Sequence, residues 1–176
     1  MAQGTSVPGV AQRTGSTVYY VEWIPAGPRA PILALMPVPG DVDIVIASEL
    51  MEAGRAIQRG FVDARTTLIA STHRIYAIAE KSALADGRAS SARILAAAEA
   101  RSGRFVGFDM DDLSSATGSV ISAVLFGALA GADALPVPRG AFEAAIRAGG
   151  KAVEANLRGF AAGFDDQNRA ITYYRA

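Results

Sequence analysis

Arg13 lies between Gln12 and Thr14, in a segment bracketed by Gly9 and Gly15. Glycines let a backbone approach a ligand closely. Arg13 adds a planar fork of donors that matches a phosphate or a carboxylate. The plain alternative is a surface loop with Arg13 in water, because glycine-rich loops are common punctuation. A second polar cluster is Ser71-Thr72-His73-Arg74, where Arg74 beside Thr72 suits an anion and otherwise forms a surface ion pair. Glu49 and Glu52 could form a two-carboxylate site, although acids at that spacing commonly serve a helix N-terminus. A Ser/His/Asp triad needs a histidine base, and His73 is the single histidine. The Gly-x-Ser-x-Gly elbow, the Gly-x-Gly-x-x-Gly fingerprint and the Walker loop are all absent.

Composition narrows the chemistry further. The chain has 176 residues, which fits one domain on the usual scale of roughly 100–200 residues. Seventeen Lys and Arg balance seventeen Asp and Glu, so no single-sign field points to nucleic acid or a membrane surface. There is no cysteine, hence no disulfide, thiolate nucleophile or ordinary iron–sulfur ligation within the chain. The N-terminus has no basic segment followed by an apolar run, and the apolar stretch from Val120 to Ala130 is short for a bilayer. These features predict a soluble cytoplasmic protein.

The elements that must position these residues read as follows. Thr17–Ile24 is β-branched and aromatic and predicts a strand. After a proline-rich turn from Pro25 to Pro31, Ile32–Met36 predicts a second, buried strand. Ile44–Ala47 is continuously apolar and predicts a strand covered on both faces. Ser48 is a natural N-cap for a helix whose stripe is Leu50, Met51, Ala53, Ala56 and Ile57, ending at Gly60.

The pattern then repeats. Thr66–Ala70 predicts a strand and Ile75–Leu84 a helix. Ser90 caps a helix over Ser91–Arg101, stopped by Gly103. Arg104–Phe108 is a strand closed by Asp109, and Met110–Thr117 is a short helix ending at Gly118. Ser119–Ala132 is the most apolar helix, and its Gly127 and Gly131 would let another backbone pack close. Helices over Arg139–Ala148 and Lys151–Phe164 follow, then a polar, loose tail from Asp165 to Ala176. Short apolar strands alternating with helices predict an α/β, Rossmann-like three-layer domain with a largely parallel sheet plus C-terminal helices. Ligands of such sheets sit beyond the carboxyl ends of the strands, where Ser48-Glu49 and Ser71–Arg74 fall.

Four segments in order carry a family resemblance. Gly9-Val10-Ala11-Gln12-Arg13-Thr14-Gly15-Ser16 resembles the His-Gly-Met-Ala-Gln-Arg-Gly-Gly-Ser motif of the gamma-type domain of 2-oxoacid:ferredoxin oxidoreductases. Asp43–Ala53 resembles that family's strand and helix with Glu-x-x-Glu/Ala, and Leu68–Arg74 its Val-Ile-x-Asn-Thr-x-Arg strand end. Leu125–Pro138 resembles its Leu-Gly-Ala-Leu…Leu-Pro stretch, and Phe142–Ile146 follows in place. The chain is most similar to the beta-subunit family of indolepyruvate:ferredoxin oxidoreductase, over Gln3 to Phe164. It departs from the pattern at Pro8 (usually His), Thr14 (often Gly) and Ser122 (often Asn).

The resemblance implies a gamma-type domain over residues 1–164 and a tail over 165–176. It implies oxidative decarboxylation of an arylpyruvate to an acyl-coenzyme A, with thiamine diphosphate, iron–sulfur clusters and coenzyme A in the assembled enzyme. None of these cofactors is expected on this chain alone: cysteine is absent, as is the Gly-Asp-Gly…Asn thiamine-diphosphate signature. The implied partners are a thiamine-diphosphate-binding, cluster-carrying subunit or domain, and ferredoxin. Candidate substrate or coenzyme A contacts are Gly9, Gln12, Arg13, Thr14, Gly15, Glu49, Thr72 and Arg74.

Family members open with a strand and a Gly-Gly-Gln-Gly-Gly loop that this sequence lacks. The sheet is therefore expected to be incomplete at its N-terminal strand, with self-association through the open edge. Two rival readings are a stand-alone Rossmann-like domain binding a phosphate-bearing ligand at Arg13 and Arg74, and a small independent enzyme using His73 and Arg74.

Overall fold

The computed structural model describes residues 1–7, 17–25, 27–28, 31–74, 90–166 and 173–174. The Gly9–Gly15 loop and the helix expected over Ile75–Leu84 lie outside these residues.

Three parallel strands form the centre. They are β3 (Ile44–Ala47), β4 (Thr67–Ser71) and β5 (Arg104–Phe108), side by side in chain order. Their register sets Ala47 beside Ala70 and Ala70 beside Gly107. The apolar runs of β4 and β5 make strands whose two faces both meet helices. On one face, Leu68, Ala70 and Phe105 pack with Ala53 of α1 (Leu50–Gln58) and Ala98 of α2 (Ser91–Arg101). On the other, Ile69 and Val106 meet Met110 of α3 (Met110–Thr117), Val124 and Ala128 of α4 (Ile121–Gly131), Phe142 of α5 (Arg139–Gly149) and Phe160 of α6 (Val153–Asp166). The result is the expected three-layer, Rossmann-like α/β architecture with C-terminal helices.

The apolar character of α4 follows from burial, since Ala123, Val124, Leu125, Gly127, Ala128 and Leu129 are all inside. No single helix among the described residues is long and apolar enough to cross a membrane. Ser90 caps α2 through its side chain, and Gly118, at φ 65°, ends α3, both as the sequence predicts.

Several expectations are corrected. Ile32–Met36 forms no strand, and Ile32 is 100% exposed. Five prolines between residues 25 and 39 remove the backbone donors that a ladder needs. The segment is instead held by its backbone: Ala34 N–H donates to Glu22 at 2.6 Å, and Thr5 Oγ1 donates to the Leu35 carbonyl at 2.9 Å. An unforeseen strand, β1 (Ala2–Val7), pairs antiparallel with β2 (Val18–Trp23), making a separate two-stranded ribbon.

Ile46 is 45% exposed, so β3 is not covered on both faces; among the described residues no strand lies on its outer side. Helix α6 runs on through Asp166, and β6 (Tyr173–Tyr174) joins the sheet antiparallel to β5, so the tail is not loose throughout.

Candidate functional site at the carboxyl ends of the strands

Parallel pairing brings the ends of β3, β4 and β5 to one edge, and each end leads into a polar residue. Glu49 follows β3 and is 7% exposed. Its extended backbone (φ −157°, ψ 165°) lets Oε2 accept the Met51 N–H and Oε1 the Glu52 N–H, each at 2.8 Å. Glu49, not Ser48, is therefore the cap of α1. Asp109 follows β5, and its Oδ1 accepts the N–H groups of Asp111 and Asp112, both at 3.1 Å. Two helix N-termini thus face this edge, each already met by its own carboxylate.

The end of β4 lies between them and is bonded to both sides. Leu50 N–H donates to the His73 carbonyl at 3.0 Å, and Thr72 N–H donates to the Phe108 carbonyl at 2.9 Å. Ser71 is fully buried. Its Oγ accepts the Met110 N–H at 3.0 Å and lies 2.7 Å from His73 Nδ1. One residue on, Arg74 Nη1 donates to Ser91 Oγ at 3.1 Å, tying the strand end to the first turn of α2. The edge is a shelf of fixed backbone carrying a hydroxyl (Thr72), an imidazole (His73) and a guanidinium (Arg74).

Of the candidate residues, Glu49, Thr72 and Arg74 are brought together here. Gly9, Gln12, Arg13, Thr14 and Gly15 lie outside the described residues; Val7 and Val18, the strand residues flanking them, are cross-strand partners. Sequence reasoning weighed His73 only as a catalytic base and missed its bond to Ser71. The signal that could have revealed it is a Ser-x-His pair at the end of a buried strand.

Shifted ionisations lie elsewhere in the molecule. Burial, reinforced by the hydrogen bond from its hydroxyl to Glu22 at 2.7 Å, pushes Tyr20 up to about 12. The Arg65 backbone N–H holds Asp63 below the usual carboxylate range, and Arg139 does the same for Glu143 through a side-chain hydrogen bond.

The cofactors of the resemblance can be tested against these residues. Iron–sulfur clusters need thiolates, and the chain has no cysteine. The metal that accompanies a bound diphosphate needs clustered oxygen ligands. Among the described residues no group of three His, Asp or Glu could hold one. The described residues fit neither group, and no chemical step is assigned to either on them.

No individual curated protein matches the chain. The family model for pyruvate ferredoxin/flavodoxin oxidoreductase matches residues 1–165, which takes in the ribbon, the parallel sheet and the C-terminal helices. With a match that spans nearly the whole sequence, the chain belongs to the pyruvate ferredoxin/flavodoxin oxidoreductase family.

Proposed function

We propose that this chain is a subunit or domain of a 2-oxoacid:ferredoxin oxidoreductase acting on an arylpyruvate such as indolepyruvate, and that it supports and closes the active site rather than carrying the redox centres. The overall reaction converts the 2-oxoacid and coenzyme A to acyl-coenzyme A and carbon dioxide, with two electrons passing to ferredoxin. The single observation that carries the reading is the family match over residues 1–165. The cysteine-free composition adds the division of labour, because the clusters then belong to another chain or domain. The proposed contacts to coenzyme A or substrate are Gly9, Gln12, Arg13, Thr14 and Gly15 from the glycine-bracketed loop, with Thr72 and Arg74 from the end of β4. Glu49 contributes by fixing the first turn of α1 beside them.

The complex is proposed to work in the cytoplasm, with ferredoxin as its acceptor. Its other partner docks on the exposed apolar surface formed by the ribbon and the segment after it, where Tyr19, Val21, Trp23, Leu35 and Met36 are all open to solvent. Self-association of the isolated chain is proposed through the open edge of the sheet.

The test is co-purification of the native protein. A cysteine-rich, thiamine-diphosphate-binding partner is expected, with activity only in the complex and indolepyruvate turned over faster than pyruvate. Turnover by the isolated chain would refute the supporting role. The strand-end shelf favours one second reading, a stand-alone binder of a phosphate-bearing ligand; tight binding of coenzyme A by the isolated chain, without a partner, would support it instead.

A further inference from the structure

We propose that Ser71 is a positioning residue that fixes His73 in the Nε2–H tautomer, so that the imidazole serves as a hydrogen-bond donor to the anionic oxygen of a ligand, carboxylate or phosphate, at the carboxyl edge of the sheet.

The hydroxyl of Ser71 carries one proton and is fully buried. A buried hydroxyl needs an acceptor for that proton. Met110 N–H already donates to Oγ at 3.0 Å and so cannot receive it. The one acceptor bonded to this hydroxyl among the described residues is His73 Nδ1, at 2.7 Å. Nδ1 is therefore the bare nitrogen, and the ring proton sits on Nε2. The reverse arrangement, with Nδ1–H donating to Ser71, would strand the hydroxyl proton in the interior.

The same contacts fix the ring in space. The His73 carbonyl is held by Leu50 N–H at 3.0 Å, and the preceding peptide by Thr72 N–H on the Phe108 carbonyl at 2.9 Å. Main chain and Nδ1 are both anchored, and no hydrogen bond from Nε2 to the described residues is formed. The ring is only partly buried.

An Nε2–H group seeks an oxygen acceptor. The acidic side chains of this edge are already engaged, Glu49 by two N–H groups of α1 and Asp109 by two of α3. The strongest acceptor for such an N–H donor is an anionic oxygen, whether of a carboxylate or of a phosphate. Identifying that ligand with a 2-oxoacid or with coenzyme A rests on the function proposed above; the tautomer does not.

His73 is the only histidine, so a long-range proton–nitrogen correlation spectrum of the full chain contains one imidazole. In mildly alkaline buffer the Nε2–H tautomer is expected to dominate. Ser71→Ala is expected to give a mixture, and Ser71→Thr to restore one form. Titration with sodium pyruvate or with inorganic phosphate should shift Nε2 saturably, several-fold more weakly in Ser71→Ala, and whichever anion saturates at the lower concentration names the source of the oxygen.

A dominant Nδ1–H form in the wild-type protein would overturn the proposal without recourse to any variant. So would the absence of a saturable response to either anion, or a response unchanged by Ser71→Ala. Failure to find a cluster-carrying partner would instead remove the oxidoreductase reading and leave the tautomer standing.

Discussion

Gly127 of α4 and Gly163 of α6 lie against each other's helix backbones. A Cβ on Gly127 would be driven into the carbonyl oxygen of Phe160, and one on Gly163 into that of Val124. The two helices meet backbone to backbone, and the aromatic cluster of Phe126, Phe142 and Phe160 packs around that seam. Because Val124 and Phe160 belong to the core that covers Ile69 and Val106, this close approach also sets how α4 sits on the sheet.

Gly127→Ala is expected to destabilise the protein although alanine is the better helix former. The propensity gain is about 1 kcal/mol. Overpacking typically costs about 1–3 kcal/mol, and here the obstruction is backbone, which cannot rotate away. A Cβ added at Gly140 in α5 would meet nothing within 4 Å, so Gly140→Ala should stabilise by up to about 1 kcal/mol. Urea unfolding of both variants checks the opposite signs.

Tyr20 should ionise at about pH 12 rather than 10. Its folded value lies above its unfolded one. Its contribution to stability is therefore complete below pH 10 and is lost as the pH rises from about 10 to about 12. Absorbance titration of the phenolates should lose a component near pH 12 in Tyr20→Phe. In Glu22→Gln that component should move down, since the carboxylate that disfavours a neighbouring phenolate is gone.

Trp23 is the single tryptophan and is 52% exposed, on the same face of β2 as Tyr19 and Val21. If the partner subunit docks on this face, its arrival should shift the Trp23 fluorescence to shorter wavelength. Trp23→Ala should weaken assembly by about 2 kcal/mol or more, as truncation of a buried aromatic anchor does, roughly thirty-fold in Kd. Because Trp23 is exposed in the free chain, thermal stability of the isolated protein should change little. Unaltered assembly in Trp23→Ala would put the interface elsewhere.

The sequence made the layered core legible because its signals are local. Ile44–Ala47, Leu68–Ala70 and Phe105–Val106 are apolar runs of strand length, and Asp109, Ser90 and Gly118 stand at helix ends as their chemistry requires. What escaped depends on contacts distant in sequence. Ala2–Val7 is largely polar and becomes a strand only by pairing with Val18–Trp23. Ile32–Met36 has strand-like side chains, but the prolines around it leave it held by Glu22 and Thr5 rather than by a ladder. Ser48 has the better capping side chain, yet the chain is extended at Glu49, whose longer carboxylate reaches two N–H groups from there. At the site, a cluster at the end of β4 was visible, but the bond between Ser71 and Met110 spans 39 positions and has no sequence signature.

Arg13 carries the strongest remaining prediction for the assembled enzyme. It stands in the glycine-bracketed segment most similar to the family motif, between Gln12 and Thr14. A guanidinium meets a phosphate or carboxylate through two parallel N–H bonds, which an ammonium cannot reproduce. If Arg13 grips coenzyme A or the 2-oxoacid in that way, Arg13→Ala and Arg13→Lys should both raise KM for that ligand. A charged hydrogen bond is worth about 1.5–3 kcal/mol, which corresponds to roughly ten- to a hundred-fold. A structural ion pair within the chain would behave differently: lysine would preserve much of the attraction, and the loss in Arg13→Ala would fall on thermal stability by no more than about 1 kcal/mol. Steady-state kinetics of the complex, measured with each substrate varied in turn, therefore separates the two roles. A raised KM for coenzyme A alone assigns the guanidinium to phosphate, and a raised KM for the 2-oxoacid alone assigns it to the carboxylate. Unchanged kinetics in both variants would exclude Arg13 from the binding site.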